Sequence, residues 1–154
     1  MKKATFAAGC FWGVEAAFRQ IKGVKSTRVG YTGGKMENPS YEDVCTDATG
    51  HAEAVEVTFD PNKVKYKKLL EVFWKNHNPT QMNRQGPDIG TQYRSAIFYN
   101  NEEQRQAAVK SLKEEQNKYK EKIATEVKKA QEFYEAEGYH QQYLEKRRLS
   151  TCHI

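Results

Sequence analysis

Apolar residues recur along this chain with two periods, and each period predicts a different element. Val14, Ala17, Phe18 and Ile21 fall at i, i+3, i+4 and i+7, one face of a helix that Gly23 can close. Tyr66, Leu69, Leu70, Phe73, Trp74 and His77 repeat that spacing in a second helix. Over Ala52–Phe59 the period drops to two: Glu53, Val55, Val57 and Phe59 share one face, Ala54, Glu56 and Thr58 take the other, and Asp60-Pro61-Asn62 ends the strand. Thr5–Ala8, Val24–Tyr31, Arg94–Tyr99 and Ile123–Val127 read as further strands. Glu102–Lys120 reads as an exposed helix and Phe133–Lys146 as a final one before an irregular tail. Thr32–Ser40 is a loop dense in Gly, Asn and Pro, and Asn78–Gln92 is a polar loop longer than a compact domain keeps without a use for it. Helices interleaved with single strands predict a two-layer α/β or α+β domain.

At 154 residues the chain is one domain, residues 1–154, large enough to bury a core without disulfide staples. Hydrophobic residues make up only 38%, but 12% of the chain is aromatic, so rings carry much of the core. The net charge of +5 is dispersed, and the last third is densely charged yet nearly balanced, which suits a solvated helix better than a nucleic-acid-binding arm. No run of apolar residues is long enough for a membrane span. The apolar stretch before Cys10 is too short for the core of an export signal, which predicts a cytoplasmic protein. Cys10, Cys45 and Cys152 are an odd number with no CxxC pair, a poor disulfide framework and a poor zinc site; no metal is expected.

Two residues stand out chemically. Cys10, in Gly9-Cys10-Phe11-Trp12-Gly13, falls between a strand end and a helix start, where unpaired N–H groups stabilise a thiolate. The same position also suits a small buried hydrophobe beside two rings. Glu53 shares the inward face with Val55, Val57 and Phe59. A carboxyl there resists ionisation and can act as a general acid, unless it swings out from the strand end to solvent. Tyr31, Tyr41 and Tyr93 lie in or beside the loops, where a phenol can donate to a substrate oxygen. Cys45 reads as a buried spectator on a short helical turn. Cys152, near the end of the chain, is a stray surface thiol or one able to reach a sulfur oxidised elsewhere. A cysteine hydrolase using Cys10 with His51 as base is the rival reading.

Taken together the motifs resemble a known family. Gly9-Cys10-Phe11-Trp12-Gly13, Gly30-Tyr31-Thr32-Gly33-Gly34, Asn38-Pro39-Ser40-Tyr41 and Gly50-His51-Ala52-Glu53 resemble peptide methionine sulfoxide reductase A. Asn83-Arg84-Gln85-Gly86, the run from Asp88 to Arg94 and His140-Gln141-Gln142-Tyr143 continue the pattern in order. The resemblance implies a two-layer α+β fold, a mixed sheet with packed helices, and reduction of the S-epimer of methionine sulfoxide, free or in proteins. Cys10 matches the nucleophile that becomes a sulfenic acid, and Glu53 the acid that protonates the sulfoxide oxygen. Tyr41 and Tyr93 match the phenols that hold that oxygen. Phe11 and Trp12 match the apolar wall for the S-methyl group, and Asp88 a polar residue supporting the pocket. The tail departs from the Gly-rich pattern of many members, and Cys152 aligns with the first recycling cysteine. A mobile tail over 145–154 would let Cys152 resolve Cys10 to a disulfide that thioredoxin reduces. No bound cofactor is implied, since the electrons pass through thiols. Expected partners are oxidised proteins and thioredoxin, with no nucleic acid or membrane, for a protein acting as a monomer.

Overall fold

The computed structural model describes residues 1–143. Its frame is one six-stranded sheet in the order β7-β6-β1-β3-β2-β8. The three central strands are β1 (Lys2–Ala8), β3 (Ala52–Phe59) and β2 (Val24–Thr32). They pair antiparallel, as do β1 with β6 (Ser95–Tyr99) and β2 with the short β8 (Tyr134–Glu135). Among the described strands, only β7 (Glu126–Lys129) runs parallel to its neighbour, β6, to which α4 (Glu102–Gln116) connects it. The sheet is therefore mixed, with helices packed on it, as expected for the α+β class.

Period-two alternation separates the faces. Phe6, Val29, Val55, Val57, Phe59 and Ile97 point to one side, where α1 (Phe11–Arg19) and α3 (Tyr66–Lys75) supply Val14, Phe18, Leu69, Leu70 and Phe73. Rings dominate this core. Phe6 stacks on Phe18 at 5.0 Å and meets Phe73 at 5.4 Å, completely buried. Removing such a side chain from water contributes about 2 kcal/mol or more. The other face is lined by small residues, Ala7, Ala52, Ala54 and Ala96, with Phe98, and Ala130 and Phe133 pack over it.

Two expected elements change. The polar loop after α3 contains a small hairpin, β4 (Arg84–Gln85) with β5 (Asp88–Ile89), followed by a 3-10 turn at Thr91–Tyr93. Beyond Phe133 the chain does not form the expected helix within the described residues. Tyr134–Glu135 adds to the edge of β2, and Gly138–His140 makes one 3-10 turn. Specific partners outweigh helical propensity here. The Gln141 amide brackets Val29, accepting from its N–H at 2.9 Å and donating to its carbonyl at 2.9 Å. Gln142 is held by the buried Glu15 carboxylate, which accepts from its backbone N–H at 2.7 Å. Gly30 leaves room for this segment: a Cβ there would lie 2.3 Å from the Tyr134 carbonyl oxygen. The expected tail over 145–154, with Cys152, lies outside the described residues.

Candidate active site

Cys10 occupies the junction between the central strand and the first helix. β1 stops at Ala8, Gly9 turns the chain at φ +96°, and Cys10 is the N-cap of α1. A Cβ on Gly9 would stand 2.8 Å from Gln85 Cγ, so glycine is needed for both conformation and space. Cys10 is half-buried at the positive end of the helix, an environment that favours a thiolate.

Glu53 sits beneath that helix end. It is 2% exposed, and its Oε1 accepts from the Phe11 N–H at 3.3 Å. The alternation of β3 thus directs the carboxyl inward, and the acid lies one peptide from the cysteine. Burial penalises its charged form, whereas the Phe11 N–H favours it. A protonated carboxyl satisfies both, because its carbonyl oxygen can accept while its hydroxyl keeps the proton.

Phenols surround this carboxyl. Tyr31, opposite Glu53 in the β2–β3 register, is completely buried and donates to Glu137 Oε1 at 3.0 Å. The second Glu137 oxygen accepts from the Tyr41 N–H at 3.0 Å. Burial pushes Glu137 up, but that N–H and the Tyr31 hydroxyl outweigh it and hold the carboxyl below its usual range. Tyr41 begins α2 (Tyr41–Cys45), a single turn whose start is fixed by a reciprocal cap between Ser40 and Asp43. Burial pushes the Tyr41 phenol well up, and its hydrogen bond to Cys45 and, once it ionises, the Glu53 carboxylate add to it. Tyr93, on the 3-10 turn, is raised by burial and then by Glu53, Cys45, Asp88 and Cys10 in their ionised forms. Both phenols therefore remain neutral donors throughout the physiological range. The effect of Cys10, Glu53 and Asp88 on one phenol shows that elements far apart in sequence converge here.

An aromatic wall borders the polar group. Phe11 is buried against Tyr31 at 5.8 Å and His140 at 5.2 Å, while Trp12 is half-buried above it. Trp12 lies flat on Tyr143 at 3.7 Å and its Nε1–H donates to His140 Nδ1 at 3.0 Å. That bond makes Nδ1 an acceptor and the imidazole neutral, in agreement with burial lowering its pKa.

Two expectations about neighbouring residues are corrected. Cys45 is exposed, not buried, and it touches the Tyr41 phenol. His51 is buried, with Nδ1 accepting from the Gly34 N–H at 3.0 Å and Nε2 donating to the Met36 carbonyl at 2.6 Å. Both its nitrogens serve to hold the Gly-rich loop, which removes the base that a hydrolase would need. Sequence reasoning gave no role to Glu137, His140, Tyr143 or Gln85. The His140-Gln141-Gln142-Tyr143 motif was a signal for two of them; nothing local marks Glu137.

Comparison with known proteins points the same way. The family model described as peptide methionine sulfoxide reductase matches residues 2–154. The peptide methionine sulfoxide reductase MsrA of Methanothermobacter thermautotrophicus is 61% identical over 99% of this chain and 92% of its own. Among solved structures, methionine sulfoxide reductase A of Corynebacterium diphtheriae superposes with a TM-score of 0.94 at 39% identity, covering 99% of this chain and 77% of that one. Mxr1 from Saccharomyces cerevisiae, solved in complex with Trx2, gives a TM-score of 0.66 at 27% identity over 92% of this chain and 84% of that one. Among the described residues no helix is long and apolar enough to cross a membrane.

Proposed function

This chain belongs to the peptide methionine sulfoxide reductase family, oxidoreductases that return methionine sulfoxide to methionine, and on that premise we propose how its residues divide the reaction. The substrate is the S-epimer, free or in an oxidised protein. Its S-methyl group rests against Trp12 and Phe11, and its oxygen faces Tyr41, Tyr93 and the Glu53 carboxyl, with Asp88 supporting the Tyr93 side. A polar S=O beside an apolar methyl calls for such a pocket, with donors next to an aromatic wall.

Cys10 Sγ attacks the sulfoxide sulfur while Glu53 gives its proton to the oxygen; the sulfoxide S–O bond then breaks as that hydroxyl passes to Sγ, and the transient Sγ–sulfur bond breaks with it. The products are methionine and a Cys10 sulfenic acid: the substrate sulfur has gained two electrons and the Cys10 sulfur has lost them. Cys152 then attacks the sulfenic sulfur and releases water, and thioredoxin reduces the resulting disulfide. Mxr1 in complex with Trx2 supports thioredoxin as the reductant. Thiol recycling of this kind needs a reducing compartment, which supports the cytoplasm as the site of action.

The observation that carries this reading is the Phe11 N–H to Glu53 hydrogen bond, which sets a buried acid one peptide from a cysteine at a helix N-terminus. Its test is to incubate the reduced protein with separated S- and R-sulfoxide peptides and no added reductant, then weigh protein and products. One methionine per protein from the S-epimer alone, with a loss of two hydrogens mapped to Cys10 and Cys152, is expected. An oxygen retained on Cys10 would keep the first step and remove Cys152 from the second. No reduction of either epimer would overturn the assignment.

A further inference from the structure

Asp88 and Tyr93 ride on one long loop, and its two ends are tied to each other by a half-buried imidazole. His77 follows α3 directly and precedes the loop; Ser95 opens β6 directly after it. His77 Nδ1 lies 2.7 Å from the Phe73 carbonyl oxygen, and Nε2 lies 2.7 Å from Ser95 Oγ. A carbonyl can only accept, so Nδ1 carries the hydrogen and Nε2 of the neutral ring accepts from the Ser95 hydroxyl. Ser95 Oγ in turn takes a hydrogen from Thr125 Oγ1, 2.7 Å away, so the chain of donors has a single direction. Burial holds His77 neutral, lowering its pKa to about 4.

Both arms from this junction reach the reacting groups. On one side Asn78 is clamped by Gln85, whose side chain accepts from the Asn78 N–H at 2.7 Å and donates to its carbonyl at 2.8 Å. The stem of that same Gln85 packs on Gly9, next to Cys10. Pro79 is held as well, its carbonyl accepting from the Ala124 N–H at 2.7 Å. On the other side Ser95 pairs with Ala8, two residues before Cys10, and stands two residues after Tyr93. These contacts hold the loop root against the strand that presents the cysteine, while the His77 ring itself packs on Phe73 at 4.5 Å.

We propose that His77 is a positioning residue, whose Nε2···Ser95 bond closes the loop Asn78–Arg94 and sets Tyr93 and Asp88 at their working distance from Cys10. This rests on the reading that Tyr93 receives the sulfoxide oxygen. It assigns His77 no contact with substrate. The imidazole acts by fixing where a distant phenol stands.

The ring's two bonds can be separated by substitution. In His77→Asn the amide Nδ2 can still donate to Phe73, but nothing reaches Ser95. In His77→Gln the amide Oε1 can reach Ser95, and the bond to Phe73 is lost. The measurements are steady-state reduction of an S-sulfoxide peptide and hydrogen exchange across residues 78–94. His77→Asn and Ser95→Ala should each raise KM roughly tenfold, the scale of one hydrogen-bonded contact, and speed exchange in the loop. The double variant should do no more than either single one, because both remove the same bond. His77→Gln should stay within about threefold of the parent, retaining most of that one contact. A merely structural role would lower the fraction of active molecules, reducing kcat at unchanged KM, and would hit Asn and Gln alike. Unchanged loop exchange in His77→Asn would overturn the proposal whatever the activity. If the parent protein reduces no sulfoxide but the loop loosens as described, the positioning survives and the reading of Tyr93 fails.

Discussion

The two halves of this site are built by different means. Cys10 and Glu53 belong to the sheet and its first helix: β1 delivers the cysteine, β3 the carboxyl, and strand register fixes their relation. Tyr41, Tyr93 and Asp88 sit on a one-turn helix, a 3-10 turn and a two-residue strand. Polar clamps add to the packing that holds them. Asp47 Oδ1 accepts from the Thr91 N–H at 2.8 Å and also from its hydroxyl, joining the exit of α2 to the turn that carries Tyr93. Glu137 ties the start of α2 to Tyr31, and His77 ties the long loop to β6. In the proposed mechanism a frame of strands fixes the groups that exchange electrons and protons, while loops fix the groups that recognise the substrate. Such loops can open locally without unfolding the core.

This difference predicts which perturbations damage stability and which damage recognition. The largest stability effect should come from the frame. Phe6→Ala, at the centre of the stacked rings, should cost about 3–5 kcal/mol in denaturant unfolding, with KM little changed in the molecules that remain folded.

Acid should come next. The groups acting on His77 are neutral, the Phe73 carbonyl and the Ser95 hydroxyl, and its native pKa is about 4 against the ordinary 6.5. As pH falls below the unfolded value the unfolded chain takes up a proton that the native ring refuses. Stability from this residue is therefore complete above about 6.5 and lost progressively as pH falls through 4, about 3 kcal/mol in all. Denaturant midpoints across that range should fall more steeply in the parent than in His77→Asn; equal slopes would exclude a His77 held neutral in the native state. The clamps should give the smallest effect on stability. Asp47→Ala should lower it by about 1 kcal/mol, yet raise KM for a sulfoxide peptide severalfold, roughly the worth of a lost charge-assisted bond. A change in melting with no change in KM would erase the distinction between frame and clamp.

The same division explains what the sequence disclosed. The alternation of Ala52–Phe59 marks β3 with its observed bounds and turns Glu53 inward, because a strand that buries one face admits only one register. The apolar spacing of α1 and α3 is equally plain, since both lie on the ring core. The segment after Phe133 misleads for the opposite reason. Its conformation is set by Gln141 on Val29, Glu137 on Tyr31 and Gln142 on Glu15, partners more than a hundred residues away for which no local pattern exists. Cys45 misleads similarly: a one-turn helix has no face long enough to show a period, so the exposure of its last residue cannot be read. Glu53 stands out because it sits on a regular strand, and Cys10 because it joins a regular strand to a regular helix. Glu137 and the role of His77 were not, because they act through bonds that only the folded chain creates.

Glu53 as a proton donor beside Cys10 carries the proposed mechanism. The direct measurement is the rate of the first turnover of Glu53→Gln on an S-sulfoxide peptide, alongside the rate at which iodoacetamide alkylates Cys10 in the same protein. Glutamine keeps an oxygen for the Phe11 N–H but has no carboxylic proton to give. The expected result is a fall of about 10²–10⁴-fold in the first turnover, the usual weight of a positioned general acid, with Cys10 still open to alkylation. A first turnover near the parent rate would contradict that role.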